Sequence, residues 1–195
     1  MSLEQAVWAW ILAGRTKHNT PIGKRFVKAF LAGVFLSTGG TLVDTLAADP
    51  WLSTNASGLL KILQGAVFPV GLVMLVVMQM DLLTGHMAVF ILSTIKRKVP
   101  LWAFAMDWAI VFVGNLAGSL FWAGLMVYYA GNLSQPMREG AAAVATAKAG
   151  PTVTFAQTLA RGVACNYLVC VAVFQASLAK DLSGRIIGAW FPIFV

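Results

Sequence analysis

The 195-residue chain is 59% apolar and 11% charged, whereas a soluble domain carries about 25% charged residues. Long uninterrupted apolar blocks exclude an ordinary soluble domain and indicate an all-α, polytopic membrane protein. The net charge of +7 is distributed one-sidedly along the chain, which ties it to membrane orientation rather than to a nucleic-acid partner.

Residues 1–25 form a first unit. Ser2 and Gln5 have capping-box spacing at the start of a short helix bearing Trp8, Trp10, Ile11 and Leu12. Basic residues follow this apolar stretch instead of preceding it, and no small-residue cleavage site appears, so it is not a signal peptide. The pattern predicts a helix lying on the cytoplasmic membrane face. A first crossing follows at 26–43.

The next apolar region, 59–95, has the wrong length for one helix. Residues 62–80 carry no charge and already make one span, yet apolar character resumes after Asp81 up to Lys96-Arg97-Lys98. A continuous helix over 62–95 would be about 51 Å long, well beyond a hydrocarbon core of about 30 Å, and two full crossings do not fit. The expectation is a discontinuous element: a helix to about Met80, an irregular turn through Asp81–Gly85, then a half-helix. Asp81 is placed to cap that half-helix, Thr84 supplies a hydroxyl, and Gly85 can take a positive φ. Irregular backbone at membrane depth survives only buried in protein or lining a watery cavity, and a half-helix N-terminus suits an anion. His86 follows the turn, either as a hydrogen-bonded group or as one that handles protons. Phe68 and Leu72, four apart on one face, are either packing residues or a gate.

A third crossing spans 101–130, where Gly114 and Gly118 make a small-xxx-small pattern for close helix approach. Asn115 in this crossing and Asn166 in the fourth, 155–178, are suited to interhelical hydrogen bonds or to lining a pore. Between them Lys148 lies in a small-residue loop, either as a solvated cation or as an attractor of anions. Cys165 and Cys170, five apart on one helix, point to different sides and serve as small core fillers. No metal-ligand cluster, phosphate loop or dinucleotide fingerprint is present, so neither cofactor nor enzymatic activity is expected.

A further apolar run starts at 186. GAVFPV (65–70) and GAWFPI (188–193) match at four of six positions, and KAFLAGV (28–34) is echoed by QTLARGV (157–163). With the N-terminus inside, ten Lys and Arg fall on the inner side and four on the outer, so the two proline motifs lie on helices of opposite direction. This predicts an inverted repeat of three crossings per half, with five of six helices present, the second and fifth broken and the fifth incomplete.

LAGVFLSTGG (31–40), FPVGLVMLVVMQMDLLTGHM (68–87), NLAGSL (115–120), RGVACNYLVCVAVF (161–174) and GRIIGAWFPIFV (184–195) together resemble the formate–nitrite transporter family, with a subgroup likeness to fungal-type carriers. The resemblance covers about residues 20–195 and implies an aquaporin-like protomer within a homopentamer, each protomer having its own pore. It makes 26–195 an incomplete channel domain of an integral plasma-membrane protein. Its substrates would be formate or nitrite, moved channel-like or with protons, with membrane lipid as surroundings. By resemblance Phe68 and Leu72 form the cytoplasmic-side constriction, Leu82 contributes to the outer one, Thr84 is the threonine of the broken second helix, and Lys148 draws in anions. The same resemblance places a central histidine and a sixth helix beyond Val195, and His86 stands where a small polar residue is usual. Two other readings stay open: a truncated subunit or scaffold that does not transport, and a neutral-solute channel of aquaporin type. Against the latter, no asparagine here precedes a proline.

Overall fold

A computed structural model describes residues 2–195 as helices joined by short turns. In chain order they are α1 (Leu3–His18), α2 (Ile22–Ala47), α3 (Pro50–Asn55), α4 (Ser57–Val67), α5 (Pro69–Val77), α6 (Leu83–Ile95), α7 (Ala103–Phe121), α8 (Gln135–Ala149), α9 (Phe155–Leu178) and α10 (Leu182–Phe194). A π-helical segment, Trp122–Tyr129, prolongs α7. Four stretches are long and apolar enough to cross a membrane: Ile22–Ala47, Ser57–Val77, Ala103–Tyr129 and Phe155–Leu178, with α6 and α10 as shorter apolar helices. The boundary expected at residue 25 falls inside α2.

Glycine sets the closest helix contact. A β-carbon on Gly33 would overlap the Asn115 carbonyl, and one on Gly118 would overlap that of Phe30. Gly114 likewise lies against Ala29, so the paired glycines of α7 do face α2. The two helices run parallel, from the Arg25–Asp107 ion pair at one end to the Trp122 indole donating to Thr41 Oγ1 at the other. α5 runs the opposite way: Gly71 packs on Phe35 and Leu36, while Phe68 lies further along, against Gly39.

α9 and α10 form an antiparallel hairpin in which Gly188 sits against Gln175 and Ala176. α10 then lies along α4 and α5, its Trp190 indole donating to the Ala66 carbonyl at 3.1 Å. The two echoing motifs therefore pack against each other on helices of opposite direction. Their prolines differ in setting, since Pro69 opens α5 and Pro192 lies inside α10.

The capping box of Ser2 and Gln5 is formed at the start of α1. One face of this helix is seated on protein. Ala6, Trp10, Ile11 and Gly14 are buried, Ser93 Oγ donates to the Ile11 carbonyl at 2.8 Å, and the Trp10 indole donates to Ser177 at 3.1 Å. Trp8 and Leu12 point outward.

The broken helix at the candidate site

The break exists, three residues earlier than its expected place. α5 stops at Val77, the turn occupies 78–82, and Thr84 and Gly85 already lie in the first turn of α6. The positive φ falls on Gln79, at 55°, while Gly85 is helical. Gly85 is buried, and a β-carbon there would make only ordinary contact with Val173, at 3.8 Å.

Asp81 does not cap α6. The Leu83 N–H instead donates to Asn115 Oδ1 at 3.0 Å, and the Asn115 amide donates to the carbonyls of Ala29 at 2.8 Å and Asp81 at 3.0 Å. One side chain on α7 therefore ties α2, the turn and the half-helix together, as the interhelical hydrogen-bond reading of Asn115 anticipates.

The Asp81 carboxylate is drawn elsewhere, into a cluster of Lys17, Arg25, Lys28, His86 and Asp107. Lys17 forms a short ion pair with it, Lys28 Nζ lies 3.3 Å away, and His86 Nε2 lies at 3.0 Å. The other ring nitrogen, His86 Nδ1, is 2.7 Å from Asp107 Oδ2, and Arg25 reaches Asp107 Oδ1 at 3.1 Å. Arg25 and Asp107 are 1% and 0% exposed, so each neutralises a charge that could not stand alone at that depth. Burial pushes the Lys17 ammonium below its ordinary range, while the Asp81 charge acts in the opposite direction.

His86 can sit here in two protonation states. As the neutral ring, Nδ1–H donates to Asp107 and Nε2 accepts from Lys17, 2.9 Å away. As the imidazolium, Nε2–H donates to Asp81 instead. The two carboxylates lie on opposite ring nitrogens, so the three groups do not converge as metal ligands would.

Leu72 and Leu82 meet in one apolar cluster with Ala32, Leu75, Val169 and Ala172. Phe68 is half-buried and lies outside that cluster, four residues before Leu72. The order along the helices sets Phe68 and Asp81 at different depths. Phe68 is level with Gly39 and Asp81 with Lys28, eleven residues or about 16 Å apart along α2. If the α1 end is cytoplasmic, Phe68 and Leu72 lie on the outer side of Leu82.

Thr84 Oγ1 is buried beside this cluster with no hydrogen-bond partner among the described residues, and its carbonyl accepts from Cys170 Sγ at 3.6 Å. Asn166 Oδ1 is likewise buried and without a partner among the described residues. Cys165 is exposed rather than a core filler. Lys148 is exposed at the end of α8, a helix where a loop was expected, and its charge acts on Asp44 at the far end of α2. Asp44 and Lys28 are sixteen residues apart, about 24 Å of helix, so Lys148 is not brought to the break.

Sequence reasoning treated Lys17, Arg25 and Lys28 only as orientation charges and passed over Asp107. The available signal was an acid inside an apolar crossing, which needs a cation, together with three cations, Lys24, Arg25 and Lys28, in the first turns of another.

The family model for formate/nitrite transporters matches residues 4–195. A probable formate transporter of Methanothermobacter thermautotrophicus is 35% identical over 191 residues, covering 91% of this chain and 70% of its own length. The chain belongs to the formate/nitrite transporter family. Two solved structures share its fold. A pentameric formate channel with formate bound superposes with a TM-score of 0.76 at 24% identity, covering 89% of this chain and 67% of that one. An ion channel of the same transporter family gives 0.84 at 22% identity, covering 98% and 75%. In this chain Leu82 ends the turn, Thr84 lies in the first turn of α6, and Leu72 of α5 packs in the same cluster as Leu82. The ion cluster joins the turn to α1, α2, α6 and α7.

Proposed function

We propose that this chain carries small monovalent anions, formate or nitrite, across the plasma membrane through a pore in each protomer of a homopentamer, with its N-terminus cytoplasmic. The observation that carries the reading is Thr84 Oγ1, a buried hydroxyl without a partner beside an apolar layer of Leu72 and Leu82. Such a group costs free energy unless something polar visits it.

The apolar layer sets the chemistry. A bare anion facing it loses its hydration without compensation, whereas the neutral acid passes at much lower cost. An anion drawn in by Lys148 would take a proton from bulk water before it passes Phe68, Leu72 and Leu82. The Thr84 hydroxyl would bridge the dry interval by donating to the acid's doubly bonded oxygen, and the acid would return its proton to water on the far side. The family membership, the formate transporter and the pentameric formate channel support this reading.

Influx into liposomes of mixed neutral lipid tests it, with labelled formate, nitrite and glycerol compared at equal concentration. Formate or nitrite should enter faster than into protein-free liposomes while glycerol does not. Glycerol influx without anion influx would replace the anion reading with a neutral-solute channel.

A further inference from the structure

The turn between α6 and α7 bears a second feature that the pore does not use. Lys96, Arg97 and Lys98 follow one another there, and none forms an ion pair among the described residues. A cavity of about 510 Å³, open to the surroundings, is lined by Thr94, Arg97, Lys98, Val99, Pro100 and Leu101. Thr94 Oγ1 is buried there with no partner among the described residues. The flanks are apolar: Ile95, Leu101 and Trp102 are 68%, 72% and 60% exposed. Lys96 lies over the Trp8 ring at 6.0 Å, which joins α1 to the same edge.

Backbone geometry sharpens the case. The Lys98 N–H donates to the Ser93 carbonyl and the Arg97 N–H to that of Thr94, so α6 ends in a Schellman turn. Arg97 occupies the left-handed position of that turn, with φ at 53°, where glycine is the favoured residue. Membrane orientation calls for positive charge at this end but not for an arginine at this strained position. Arg97, Lys98 and Thr94 line the same cavity.

We infer that this turn binds the headgroup of an anionic phospholipid, with the phosphate between Arg97, Lys98 and Thr94 and the acyl chains along Leu101 and Trp102. Two cations meet one phosphate, a hydroxyl adds a donor, and the apolar wall faces the hydrocarbon side. Free phosphate would leave that wall without a partner.

Native mass spectrometry of the purified chain in neutral detergent tests this, with phosphatidylglycerol and phosphatidylcholine added at equal concentration. Phosphatidylglycerol should be retained in preference, and removing both charges in Arg97→Gln/Lys98→Gln should weaken that preference roughly thirtyfold. Lys61→Gln, on a different helix, should leave it unchanged. Arg97→Gly separates a lipid role from a structural one. It relieves the strained backbone, so the melting temperature should hold or rise while the lipid preference falls. Equal retention of the two lipids, a preference that survives Arg97→Gly, or displacement of phosphatidylglycerol by millimolar inorganic phosphate would overturn the inference.

Discussion

His86 Nδ1 and Asp107 Oδ2 lie 2.7 Å apart, and this contact links the half-helix α6 to α7 through a fully buried carboxylate. Asp107 also balances Arg25, so removing it strands a buried guanidinium. Asp107→Ala should cost about 3–5 kcal/mol, read as loss of monodisperse protein and a lowered melting temperature in detergent. Arg25→Met combined with Asp107→Asn should recover much of that loss, because no lone charge remains and the Asn carbonyl still accepts from His86. A double variant no better than Asp107→Ala would show that the ion pair is not the source of the effect.

Asn115 makes the three hydrogen bonds that close the break. Asn115→Ala leaves the Leu83 N–H and the Ala29 and Asp81 carbonyls short of partners, for about 1–3 kcal/mol. The expected result is a lowered melting temperature together with reduced anion flux. Hydrogen exchange should report faster opening at 78–86 than elsewhere, and uniform exchange would contradict the assignment.

Close approach of α2 and α7 depends on Gly33 and Gly118. A methyl group at either meets backbone carbonyl, which cannot swing aside. Gly33→Ala or Gly118→Ala should therefore destabilise by about 1–3 kcal/mol or more. Gly23→Ala is the matched comparison. Nothing lies within 4 Å of its added carbon, and the helix gains propensity, so its melting temperature should hold or rise.

The break was legible in the sequence because length alone forbids one helix over 62–95, and the small-residue seam was legible because spacing exposes it. The exact turn was not. Which residue takes positive φ, and which side chain caps α6, depend on where α7 places Asn115, a tertiary fact. The charge cluster was missed for a related reason. Lys17, Arg25 and Lys28 satisfy the orientation rule whether or not they touch Asp81 or Asp107, so counting them hides their pairing.

Thr84 provides the most direct measurement of the transport mechanism. Formate influx into proteoliposomes should fall at least about tenfold in Thr84→Val, which keeps the shape and removes the hydroxyl, and should return in Thr84→Ser. Influx unchanged by Thr84→Val, in protein of unchanged melting temperature, would contradict the account that the anion or its acid passes the broken helix at Thr84.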